Sequence, residues 1–146
     1  MRFVPALLAL TLIAATSGQG QAQPQDAAPP LGGERVIIFF AWDQPVIDGD
    51  AAARLDSIAA SFSRSPGARL ELAGHADRSG PPAPNLRSGR MRAEAVQAYL
   101  AARGVPGAAM TIVSHGESQP LIPTADGVRE PQNRRVEIIV KRAPGG

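Results

Sequence analysis

Residues 68–73, Ala-Arg-Leu-Glu-Leu-Ala, alternate apolar and polar side chains and run into Gly74. Period-two alternation of this kind predicts an extended strand with one buried face, and Gly74 ends it while freeing the backbone. His75, Ala76 and Asp77 follow directly, then a Pro- and Gly-rich turn over residues 78–84. Three prolines fall within positions 81–84. They cannot continue a strand ladder, but they restrict the loop and so help to hold Asp77. From Asn85 to Arg103 the residues favour a helix, with Gly104 as its stop. Asn85 is the expected cap, through its side-chain oxygen. Arg92 lies seven positions on, two turns along the same helical face. One carboxylate and one guanidinium thus flank the mouth of a strand–loop–helix unit. A ligand carrying both an ammonium and a carboxylate would suit them. On residue types alone, a plain salt bridge between Asp77 and Arg92 explains the pair better.

The flanking segments read as a small α+β unit. Val36-Ile37-Ile38-Phe39-Phe40, within residues 35–41, is a buried-strand pattern. Trp42-Asp43-Gln44-Pro45 breaks it, since Pro45 lacks a donor and restricts Gln44. Asp48 or Asp50 can cap a following helix. Leu55, Ile58, Ala59 and Phe62 form its apolar stripe, and Ser65-Pro66-Gly67 ends it. In the second helix Val96, Tyr99 and Leu100 make the apolar face, with Met91 or Ala95 extending it. Gly89 is a weak point there, about 1 kcal/mol worse than Ala. Arg87, Arg90 and Arg92 make the helix start basic, against the preference of the helix dipole; tolerance of that cost hints at an anionic ligand. Residues 110–114 are a third strand, residues 121–131 a polar loop, and residues 135–141 a last strand.

A chain of 146 residues has room for one domain. Fourteen of its fifteen basic residues are Arg, set against thirteen acidic residues. The charges are interspersed and only six aromatics exist, so no basic, aromatic-lined nucleic-acid surface is indicated. Residues 1–22 read as a secretory signal peptide: Arg2, an apolar run over residues 4–15, and Gly20-Gln21-Ala22 as a cleavage site. The run is short for a bilayer span, so no transmembrane span is expected in the mature chain; an uncleaved anchor is the competing reading. Residues 23–34 form a Gln-, Ala- and Pro-rich linker, and residues 142–146 a tail. The absence of Cys excludes disulfides, a thiol nucleophile and a Cys-linked lipid anchor.

Three motifs, in order, resemble the OmpA-like peptidoglycan-binding domain. The family pattern Gly-His-Thr-Asp, Gly turn, Tyr-Asn, Leu-Ser, Arg-Ala is met at Gly74, His75, Asp77, Gly80, Asn85, Arg92 and Ala93. Asp77 and Arg92 are fifteen apart, as in the family. Ala76, Pro84 and Ser88-Gly89 depart from its Thr, Tyr and Leu-Ser. A Gly-Glu-x-x-Pro turn is met at Gly116, Glu117 and Pro120, and Asn133-Arg134-Arg135-Val136-Glu137-Ile138 matches the closing Asn-Arg-Arg-Val-Glu-Ile. The resemblance covers residues 36–140. It implies a βαβαββ order over residues 35–141, a mixed sheet with both helices on one face. It also implies a ligand, the meso-diaminopimelate of the peptidoglycan stem peptide, whose side chain ends in an ammonium and a carboxylate. Asp77 would accept from the ammonium, and Arg92 would grip the carboxylate with a planar fork that Lys cannot copy. Arg134 would add a second positive contact, Asn85 belongs to the same ligand-binding set, and backbone groups of Gly74, His75, Ala76 and Asp77 would complete the cradle. Asp43 stands where the family's first-strand loop borders the pocket; by itself it is equally a solvated turn residue. Arg135 is expected to be structural, because adjacent strand residues point to opposite faces. The implied role is noncovalent anchoring to the cell wall, in the periplasm and in association with the outer membrane. An adaptor docked on an outer-membrane protein, with weak or lost wall binding, is the alternative.

Other chemistries are poorly served. His75, His115 and Asp77 could be imagined as metal ligands, but two His from separate loops do not make the usual three-ligand set. His75 reads instead as a hydrogen-bonded residue at the strand end. Ser79, Ser88 and Ser114 lack a Gly-x-Ser-x-Gly context. Asp43 and Asp77 would have to flank a sugar groove to act as a glycosidase pair. No enzyme activity, metal or cofactor is expected.

Overall fold

The structure, a computed structural model, describes residues 33–142. The expected signal peptide at 1–22 lies outside the described residues, as does nearly all of the linker and tail. Four strands and two helices alternate along the chain: β1 (Arg35–Phe39), α1 (Gly49–Ser63), β2 (Arg69–His75), α2 (Pro82–Ala102), β3 (Met110–Gly116) and β4 (Arg135–Lys141). The sheet order is β1-β4-β2-β3. The last strand enters between the first two, antiparallel to both, while β2 and β3 run parallel with α2 as their crossover.

Alternation fixes which side of the sheet is covered. Ile38, Leu70, Leu72, Val136, Ile138 and Val140 form one cluster with Leu55 and Ile58 of α1 and Val96 and Leu100 of α2. Both helices therefore pack on the same face, as the α+β reading expects. The Asp48 side chain caps α1, accepting from the Ala51 N–H at 2.8 Å. The stripe residues Leu55, Ile58 and Ala59 are buried, with Phe62 packed against them. Gly104, at φ 95°, turns the chain out of α2.

The prolines and Asn85 differ from expectation. Helix α2 begins at Pro82 with Pro81 at its N-cap position, so Asn85 lies inside the first turn and is not the cap. Pro82 and Pro84 fit there because first-turn N–H groups have no helical acceptor to lose. The apolar face of α2 is extended by Ala93, fully buried, whereas Met91 is exposed.

Gly89 is where α2 meets the sheet backbone to backbone. A Cβ on Gly74 would lie 1.8 Å from the Gly89 carbonyl oxygen, and a Cβ on Gly89 would lie 2.6 Å from Ser114 Oγ. The helix propensity lost at Gly89 is thus the cost of bringing α2 close enough to seat its first turns over the ends of β2 and β3.

Candidate functional site

The C-terminal ends of β1 and β2, the first turns of α2 and the segment before β4 converge on one buried group of charges. Asp77 is only 3% exposed. Its Oδ1 accepts from the Ser79 N–H at 3.2 Å and the Ser79 hydroxyl at 2.5 Å. Its Oδ2 accepts from the Glu130 N–H at 3.2 Å and from Arg134 Nη1 at 2.9 Å. Burial pushes the carboxyl pKa up, but the bonds from Ser79 and Arg134 outweigh it and hold it below the usual value. Arg134 also donates from Nε to the Phe40 carbonyl at 3.2 Å, so it ties the end of β1 to the loop after β2.

Arg92 is 6% exposed. It is not the ion-pair partner of Asp77: its Nη1 donates to the His75 carbonyl at 2.9 Å. Burial lowers its pKa, the Arg134 cation pushes the same way, and Asp77 opposes both. Two buried guanidiniums therefore share one carboxylate. Arg92 also forms part of the wall of a shallow pocket of about 70 Å³, with Trp42, Asp43, Ser88 and Met91. This places Asp43 at the pocket, one of the two roles open to it. The Trp42 ring carries the Arg129 guanidinium 3.9 Å above its centre, a cation–π contact the sequence did not reveal.

Asn85 acts as a bracket. Its Nδ2 donates to the Gly80 carbonyl at 2.8 Å and to Glu117 Oε2 at 2.6 Å. It thereby joins the loop after β2 to the turn after β3, and the Gly-Glu-x-x-Pro motif gains a structural meaning. Gly74 and Ala76 are buried backbone positions. Ala76 N–H donates to the Gly116 carbonyl at 2.9 Å, so that donor is already engaged.

His75 sends its carbonyl to Arg92 and its ring to the opposite face of the sheet. The ring is 1% exposed and neither nitrogen has a hydrogen-bond partner, contrary to the expected hydrogen-bonded histidine. The reason is the register: the ring points away from the site, toward His115 with ring centres 5.2 Å apart and Glu137 at 4.0 Å. Burial, joined by the Arg135 cation and against the pull of Glu137, lowers the ring pKa to about 4. The Gln119 carbonyl also favours the charged ring, though not at hydrogen-bond geometry. Arg135 belongs to this far face, donating to Glu137 Oε1 at 3.1 Å and to the Gln119 carbonyl at 3.0 Å. Arg134 and Arg135 thus serve opposite sides of the sheet. Among the described residues no three His, Asp or Glu side chains are placed to hold a metal ion.

The buried His75 ring predicts an acid-sensitive stability. An unfolded ring takes its proton at the ordinary 6.5, the folded ring only near 4. Between those values the unfolded state holds the extra proton, so stability falls as pH falls, and the loss is complete below about 4. The expected loss is on the order of 3 kcal/mol. Denaturant midpoints measured from pH 7 to 4 should fall in the wild type and fall less in His75→Gln. Parallel curves would refute this assignment.

A profile described as the OmpA family matches residues 39–134. The chain is 32% identical to the peptidoglycan-associated lipoprotein of Haemophilus influenzae, over 94% of this chain and 97% of that protein. It is 36% identical to an outer membrane protein of Gluconacetobacter diazotrophicus over 76% of this chain, but spans only 31% of that protein. The crystal structure of the peptidoglycan-associated lipoprotein from Burkholderia pseudomallei superposes with a TM-score of 0.67 at 30% identity, covering 72% of this chain and 89% of that one. With the βαβαββ order and its three motifs in place, the chain belongs to the OmpA family.

Proposed function

We propose that this domain binds peptidoglycan noncovalently through the diaminopimelate of the stem peptide, as a non-catalytic anchor in the periplasm. The observation that carries the reading is the charge imbalance at the end of β2: Arg92 and Arg134 are both buried around Asp77, and only Arg134 is paired with it. A buried surplus cation is costly without a partner. A ligand carboxylate arriving at the pocket wall supplies one, held by the Arg92 fork. The ammonium on the same ligand carbon is met by Asp43 on the wall and by Asp77 from beneath. Of the four donors on Asp77, the Ser79 hydroxyl is the exchangeable one, because it rotates freely and belongs to a half-buried residue. An ammonium replacing it leaves the Arg134 pair intact. The peptidoglycan-associated relatives support the ligand class. Among the described residues no helix is long and apolar enough to cross a membrane.

Sedimentation of the purified protein with insoluble peptidoglycan tests the reading. Wild type should co-sediment, without lysing the wall. Arg92→Gln should weaken retention at least tenfold, the loss of about 1.4 kcal/mol or more expected for a charged fork, while keeping a cooperative melt. Asp43→Asn should weaken it less. Absence of wild-type retention would refute wall binding and favour an adaptor docked on an outer-membrane protein.

A further inference from the structure

Arg129 has an unusual anchorage for a surface arginine. Among the described residues its guanidinium makes no hydrogen bond or ion pair; it is held over the indole of Trp42, 3.9 Å from the ring centre. Both residues are substantially exposed. A cation seated on an indole is attracted by the ring face, which leaves the N–H fork free for an acceptor in its own plane. The backbone explains why Arg129 sits there. Its neighbour Glu130 is bonded through N–H to Asp77 Oδ2 at 3.2 Å. Two residues earlier, the Gly127 N–H donates to the Arg78 carbonyl at 2.6 Å, and Arg78 Nη2 grips Asp126 at 2.6 Å. The segment 126–130 is therefore tied at both ends to the loop that follows β2. Arg129, between the ties, lands on the residue that walls the Arg92 pocket.

The geometry points to Arg129 as a specificity-determining residue of this same site: braced on Trp42, it reads a second carboxylate on the ligand, farther along the stem peptide than the one taken by Arg92. This rests on the wall-binding reading and sharpens it. Among the described residues the acids near this segment are engaged elsewhere: Asp77 with Arg134, Asp126 with Arg78, and Glu130 with the Gln132 N–H. A stem peptide offers a group of the right kind, the free α-carboxylate of the glutamate that precedes diaminopimelate. Amidation of that group removes the charge and replaces an acceptor with a donor, which a guanidinium fork cannot use.

Calorimetric titration with two synthetic probes tests this: L-Ala-γ-D-Glu-meso-diaminopimelate and the same tripeptide with the glutamate α-carboxyl amidated. Wild type should bind the free acid about tenfold more tightly than the amide. Arg129→Gln should bind both at the amide's affinity, and Trp42→Leu, which removes the platform, should narrow the gap. Arg92→Gln should lose both probes. Equal wild-type affinity for the two probes, or a gap that survives in Arg129→Gln, overturns the role of Arg129 alone. Failure of the wild type to bind either probe overturns the wall-binding reading and this assignment with it.

Discussion

Gly74→Ala is expected to abolish the cooperative melt of this domain. The added methyl would stand 1.8 Å from the Gly89 carbonyl oxygen and 2.4 Å from its carbon. Both atoms belong to the backbone of α2, so no side chain can swing aside. Relief requires lifting the helix from β2, and with it Val96 and Leu100 from the core they complete. Overpacking in a well-packed interior commonly costs about 1–3 kcal/mol. Displacement of a whole helix should exceed that, approaching the total stability of a small domain at about 5–15 kcal/mol. Gly89→Ala should be milder. Its Cβ meets the movable Ser114 Oγ at 2.6 Å and the Gly74 carbonyl oxygen at 2.9 Å, and alanine recovers about 1 kcal/mol of helix propensity. Gly107→Ala is the control, since nothing lies within 4 Å of the added methyl. Urea unfolding followed by circular dichroism ranks the three; a Gly74→Ala variant as stable as Gly107→Ala would sink the close-approach account.

Asp77→Asn should destabilise by about 3–5 kcal/mol, because it strips the counter-charge from a buried arginine. The replacement is isosteric, yet it substitutes an amide donor for a carboxylate oxygen that now accepts two bonds. Arg134 is then left with its bond to the Phe40 carbonyl, and the tie between β1 and the loop after β2 slackens. Loss of wall retention in an Asp77 variant therefore mixes binding with folding, which makes Arg92→Gln the cleaner probe. Arg92 is a cation whose charge its surroundings already disfavour, so its removal should cost little stability. The two carboxylates also set the acid limit. Asp77 is held below its ordinary 3.8 because the bonds from Ser79 and Arg134 outweigh burial, and Glu137 below its ordinary 4.5 because the bond and charge of Arg135 do. Their contribution is present above those ordinary values and is lost as pH falls through the lower, folded ones. Losses between pH 6.5 and 4.5 thus belong to His75, and the further losses in stronger acid draw in Glu137 and then Asp77. Asp77→Asn should remove part of the second phase and leave the first. A first phase that vanished with Asp77 would contradict this division.

Much of this architecture could be read from the chain in order. Alternation at residues 68–73, the apolar stripe of α1 and the glycine stop at Gly104 each produced the element expected of them, because periodicity and turn chemistry act over a few neighbouring residues. The ordered motifs then supplied the strand order that local patterns cannot. Expectations failed where the deciding partner lay far along the chain. Asn85 has the chemistry of a cap, but the prolines before it start the helix earlier and Glu117 claims its amide. Gly89 looks like a defect until Gly74, fifteen positions earlier, is brought against it. His75 gives its carbonyl to the site and hides its ring on the other face, a division that strand register alone decides.

The sequence by itself determined the α+β class, the family, and the residue types on which the proposed ammonium- and carboxylate-binding site rests, since these depend on spacing and on the chemistry of single side chains. Tertiary structure decided who pairs with whom. Arg134, fifty-seven positions from Asp77, takes the carboxylate that Arg92 seemed placed to hold, because β4 is inserted between β1 and β2 and delivers the segment before it to the end of the site. Arg92, on α2, reaches the His75 carbonyl instead and has no carboxylate in direct contact, feeling Asp77 only through space. The surplus of two buried guanidiniums over one buried carboxylate at the end of β2 arises from that strand insertion.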